Sequence, residues 1–156
     1  AVAMRTTLPG RSMSVLSSSG VITRAEWGAD ESLRFDAQGT ETWPPVYYPA
    51  QVLTVHHTAT RNGDPDPAAT VRAIYRYHAI DQGWGDIGYH FLIDEQGRVY
   101  EGRYSGEDGD PAHDAASGMV TAAHVGGWNS GNLGVALLGT LRTRQPTVAG
   151  STPASR

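Results

Sequence analysis

"QVLTVHHTAT", Gln51–Thr60, is the stretch on which the fold turns. Its first seven residues are rich in β-branched and apolar side chains and have the length of a strand, so they read as a buried strand. That strand ends on two adjacent histidines, where the chain passes into a polar loop. Alternation puts Thr54 and His56 on one face and Val55 and His57 on the other, so only one histidine faces a given site. Neutral imidazole is a good zinc ligand, which makes the strand end a candidate metal or ligand site. Taken alone, two ordinary polar surface residues explain the dipeptide better.

Downstream, "RNGDPDP" is a loop, and Asp66 followed by Pro67 is a helix start, a capping side chain with proline at the first helical position. The helix is expected to run to about Ile80, with Val71, Ile74, Tyr75 and His78 on one inward face. After the turn "DQGWGDIG", the segments "YHFLID" and "RVYEGR" read as a hairpin around "EQG". In its first strand Tyr89, Phe91 and Ile93 are expected on one side, His90 and Leu92 on the other. "NLGVALLG", Asn132–Gly139, is a continuous apolar run of the kind found in central strands. Upstream, residues 1–20 read as a flexible Ser-rich leader without a signal-peptide apolar region. Order is expected from Val21, and Pro44, Pro45 and Pro49 interrupt any ladder between residues 31 and 50. Residues 140–156 show no period and read as an irregular, shortened tail. Strand, helix, hairpin, loop and strand in that order imply an α/β fold, a mixed central β-sheet flanked by helices over residues 21–139.

Composition narrows the function. Apolar residues make up 39% and charged residues 18%, the balance of a globular domain. The net charge is −4 with no basic cluster, which excludes the cationic stripe of a nucleic-acid binder. No apolar run approaches the ~20 residues of a membrane span. The chain has no cysteine, so thiolate catalysis and thiolate ligands are excluded within it, and all 12 of its basic residues are arginine.

Weak signals gather at strand ends and loop edges. Tyr89 follows a glycine turn, where its hydroxyl is able to donate to a developing oxyanion. His78 ends the apolar helix face. His124 and Asn129, in "AHVGGWN", sit in a loop feeding the last strand, a common place for ligand contacts. Each has a blander reading, a strand tyrosine or a histidine bonded to backbone, but together they suggest one cleft.

"ITRAEWGA", "VHHTAT", "YHAIDQGWGDIGYHFLID", "GRVYEGR" and "AHVGGWNSGNLGVALLG", in this order, resemble the peptidoglycan recognition protein family, the zinc-dependent type 2 N-acetylmuramoyl-L-alanine amidases. The resemblance implies that family's fold and cleavage of the amide between N-acetylmuramic acid and L-alanine. It implies His56 as zinc ligand and Tyr89 as catalytic tyrosine. It also implies His57, Thr58, His78, Trp84, His124 and Asn129 as residues lining a groove for the muramyl peptide. Zinc would polarise the scissile carbonyl and activate water. After Gly139 there is no His, Cys, Asp or Glu, so only His56 of the three ligands the resemblance implies is matched. A non-catalytic peptidoglycan-binding module, or an inactive fragment, is therefore the alternative expectation. From its substrate such a protein would be extracellular or at the cell wall, and it is expected to be a monomer.

Overall fold

A computed structural model describes residues 20–141. The leader up to residue 19 and the tail from residue 142, expected to be flexible and irregular, lie outside the described residues.

The frame is a five-stranded mixed sheet. Its strands are β1 (Val21–Ile22), β3 (Val52–His57), β4 (Phe91–Ile93), β5 (Val99–Glu101) and β7 (Asn132–Leu137), in the order β1-β5-β4-β7-β3. β4 and β5 form the expected antiparallel hairpin, while β7 runs parallel to both β3 and β4. The chain therefore leaves β3, crosses over through a helix and returns as β4, and β7 later fills the gap between them. This confirms an α/β fold with a mixed sheet and a central "NLGVALLG" strand.

Helix α2 (Pro67–Arg76) begins as its sequence dictates. The Asp66 side chain accepts from the Ala69 N–H, and Pro67 occupies the first turn, where its missing N–H costs nothing. The helix continues through one π-turn, Tyr77–Asp81, so it ends close to the expected Ile80. Val71, Tyr75 and Ala79 pack on Leu92, Tyr100 and Ala136 of the sheet, with Trp27 and Ile87 completing the core.

Three expectations are corrected, and one short helix was not anticipated. β3 is an edge strand rather than a buried one: Leu53 is 61% and Val55 57% exposed, because the described helices cover only the face that carries His56. A short helix α1 (Arg24–Trp27) follows β1, held by reciprocal bonds between Thr23 and Glu26, a capping box legible in "TRAE". The proline-rich stretch does form a ladder, since β2 (Tyr47–Tyr48) pairs antiparallel with β6 (Met119–Val120) just before Pro49. Finally, the alternation expected from Ile93 back to Tyr89 breaks at Tyr89. The Gly102 N–H donates to the His90 carbonyl and the Arg103 N–H to the Tyr89 carbonyl, two successive bonds that depart from a regular antiparallel ladder. Tyr89 packs with the core on the Leu92 side.

No described helix is long and apolar enough to cross a membrane.

Candidate functional site

The site lies where β3, the end of the α2 π-turn, the segment before β4 and the loop before β7 meet. β3 brings His56 to the inner face in register with Ala136. The turn "DQGWGDIG" is anchored by Asp86, a fully buried carboxylate. It accepts from the Arg24 and Arg103 guanidiniums at 3.0 and 2.6 Å and from the Ile87 and Tyr104 backbone N–H groups. Four donors fix this turn, and with it Trp84 and Tyr89 on either side.

The expected residues fall into two groups. His56, His78, Trp84, Tyr89 and His124 come together as a continuous wall of rings. Centroids are 4.8 Å apart for His78–Trp84, 5.5 Å for His78–Tyr89, 5.6 Å for His56–Tyr89 and 5.2 Å for His56–His124. His57 does not join them; alternation turns it to the exposed face beside Val55. The Thr58 hydroxyl is spent locally, 2.8 Å from the Thr60 hydroxyl and accepting from the Gly139 N–H, which ties the end of β3 to the end of β7. Asn129 works from beneath: its Oδ1 accepts from the His124 and Val125 N–H groups and shapes the loop that carries His124.

Backbone partners orient the histidines. His78 Nδ1 accepts from the Gly88 N–H at 3.1 Å, which leaves Nε2 as the protonated nitrogen of the neutral ring. Burial pushes His78 down to about 4, so the neutral ring dominates near pH 7. His124 Nε2 lies 2.9 Å from the Asn132 carbonyl oxygen, and His124 Nδ1 lies 3.1 Å from His56 Nε2. Burial lowers His124 as well, with the Asn132 carbonyl opposing, and it raises the Tyr89 phenol.

Two contributors escaped the reading of the sequence. Gly134 sits mid-strand in β7, where a Cβ would overlap Cδ2, Cγ and Nε2 of His124; only a bare Cα lets that ring lie on the strand. A glycine inside an apolar strand was the available signal. His90, fully buried behind His124, accepts from the Gly134 N–H through Nδ1 and lies 2.6 Å from the Val120 carbonyl through Nε2.

Zinc, implied at His56 by the resemblance, would meet His56 with His124 beside it. Among the described residues no group of three or more His, Cys, Asp or Glu is able to hold a metal ion. A catalytic zinc takes three protein ligands and an open position, so these residues do not complete one.

The family described as N-acetylmuramoyl-L-alanine amidase matches residues 46–152. The human N-acetylmuramoyl-L-alanine amidase is 38% identical over 109 residues, covering 65% of this chain and 16% of that protein. Peptidoglycan-recognition protein SC2 of Drosophila simulans is 32% identical over 136 residues, covering 86% of this chain and 62% of its own length. The chain thus spans less than two thirds of either relative. Among solved structures, peptidoglycan recognition protein-LE in complex with tracheal cytotoxin, a monomeric diaminopimelic acid-type peptidoglycan, superimposes with a TM-score of 0.58 at 27% identity, covering 78% of this chain and 61% of that one.

Proposed function

Because this chain belongs to the N-acetylmuramoyl-L-alanine amidase family, among the peptidoglycan-recognition proteins, we propose that its ring-lined groove binds the muramyl peptide of peptidoglycan. The observation that carries this reading is the continuous wall His56–Tyr89–His78–Trp84, with His124 flanking His56. Indole and phenol faces suit the apolar face of a sugar or a lactyl-peptide, and imidazoles held by backbone partners offer fixed hydrogen-bonding atoms with little ordering cost. Binding is placed first because the ring wall consists entirely of described residues, whereas a catalytic zinc would need ligands besides those they supply.

Hydrolysis of the muramic acid–L-alanine amide is the second reading. Tyr89 favours it, a phenol against His56 and well placed to donate to a developing oxyanion. Zinc at His56 would belong to that reading, with ligands from beyond the described residues, and so would action on the cell wall outside the cell.

The experiment is to incubate the purified chain with insoluble peptidoglycan, with and without added zinc and chelator, and to assay both co-sedimentation and released stem peptides. Co-sedimentation lost in Trp84→Ala, without peptide release, is the expected result. No co-sedimentation would overturn the binding reading. Chelator-sensitive release would establish the hydrolytic one.

A further inference from the structure

Three of the four tryptophans are engaged within the fold. Trp27 is buried and donates its Nε1–H to the Glu101 carbonyl. Trp43 lies under the Arg103 guanidinium, 4.0 Å from its ring centroid, and Trp84 packs on His78. Trp128 differs. It is 78% exposed, more than any other large apolar side chain among the described residues, and its indole has no hydrogen-bond or ring partner among them.

The backbone that carries this indole is nonetheless fixed. The Trp128 N–H donates to the Val125 carbonyl at 3.0 Å, and the Trp128 carbonyl accepts from Asn132 Nδ2 at 3.1 Å. Asn129 Oδ1 holds the His124 and Val125 N–H groups from inside the loop. The Gly131 carbonyl accepts from the Gln51 and Val52 N–H groups, which stitches the loop to the start of β3. Before the indole come Gly126 and Gly127, where even a Cβ would meet open space, so the loop puts no side chain there to cover the ring. An apolar ring on a rigid mount loses little conformational freedom on binding, so its area counts toward affinity.

From this arrangement we infer that Trp128 is a second contact for peptidoglycan, its indole stacking on a sugar ring of the glycan strand outside the ring-lined groove. The same loop carries His124, which flanks His56 in the wall, so the two contacts belong to one rigid unit. The chemistry of the loop selects the partner. "HVGGWNSG" has no arginine, aspartate or glutamate, and the chain carries a net charge of −4 without a basic cluster. A membrane surface calls for cationic and further apolar side chains around the tryptophan, and these are missing from the loop. A flat indole bordered by glycine, serine and backbone suits the apolar face of a pyranose, whose hydroxyls stay in water.

The inference rests on the proposed binding of peptidoglycan, and its test separates the two contacts. The labelled chain is titrated with soluble muramyl dipeptide, with a peptidoglycan tetrasaccharide bearing the same dipeptide stem, and with vesicles of phosphatidylglycerol and phosphatidylcholine. The indole N–H signals are followed in its nitrogen-15 spectrum, Trp128→Ala identifying the one that belongs to Trp128. The tetrasaccharide is expected to shift the Trp128 signal, and the dipeptide to leave it in place. Trp128→Ala is expected to lower affinity for the tetrasaccharide about tenfold and to leave affinity for the dipeptide unchanged; Trp128→Phe, which keeps a ring, is expected to recover most of the loss. The substitution removes a solvated side chain and none of the backbone bonds, so the fold is expected to survive it. An unmoved Trp128 signal with the tetrasaccharide, or equal affinities in Trp128→Ala and the parent chain, overturns the inference. A Trp128 signal that moves with vesicles and not with the tetrasaccharide overturns it in favour of a membrane contact. A tetrasaccharide that shifts Trp128 in a chain that binds no muramyl dipeptide would sink the groove's function and leave the contact at Trp128 standing.

Discussion

His90 is buried with both ring nitrogens committed, Nδ1 accepting from Gly134 and Nε2 facing the Val120 carbonyl. A second proton would strip Gly134 of its acceptor and place a charge in the core. Burial accordingly pushes His90 down to about 4. The unfolded chain takes up that proton near the ordinary value of about 6.5. Between these two values the unfolded state binds more protons than the folded one. The contribution to stability is therefore complete above about pH 6.5 and is lost as pH falls through about 4. Its size is of the order of 3 kcal/mol. Urea unfolding at about pH 7 and about pH 4.5 checks this, with His90→Gln expected to flatten the difference between the two. His78 shifts in the same direction for the same reason, but it is more exposed and so contributes less.

At the scale of elements, β7 is the strand to challenge. Gly134 has ordinary extended geometry, so alanine there meets no backbone strain, only the His124 ring. Gly134→Ala is expected to destabilise the fold by about 1–3 kcal/mol, as overpacking does, and to displace His124 from His56. A thermal melt measures the first effect, and a change in the nitrogen-15 shifts of the His56 and His124 rings measures the second. This strand also marks what the sequence could disclose. Its apolar run identified a central strand, and Asp66-Pro67 identified the start of α2, because both signals are local. The edge position of β3 was not legible, since strand composition reports apolarity rather than which neighbours arrive to cover it. The break at Tyr89 was hidden for a similar reason: alternation assumes an unbroken ladder, and the departure depends on Gly102 and Arg103 across the hairpin. His56, His78, Tyr89, His124 and Asn129 could be gathered into one cleft from their places at element ends and loop edges, whereas Trp84 was implied only by the family resemblance. The separation of His57 from them was implicit in the same period-2 argument that isolated His56.

Across the whole molecule, the sheet has two unlike faces. One carries Leu92, Tyr100 and Ala136 under α2; the other presents Leu53 and Val55 in register with Leu133 and Val135, with Phe91 beside Val135, and no described helix lies over it. Because Leu53 and Val55 are already largely exposed, Leu53→Gln together with Val55→Thr is expected to change stability by no more than about 0.5 kcal/mol per site. The pair is also expected to reduce self-association of the chain, an apolar patch of this kind being adhesive. Urea unfolding and analytical ultracentrifugation check the two halves of that expectation. Function is assigned to the opposite side of the molecule, and a titration of the labelled chain with a soluble muramyl dipeptide, followed residue by residue in its nitrogen-15 spectrum, tests that assignment most directly. Saturable shifts centred on His56, His78, Trp84, Tyr89 and His124, with His57 unmoved, are the predicted result. Shifts centred on Leu53, Val55 and His57, or no saturable shift at all, would contradict it.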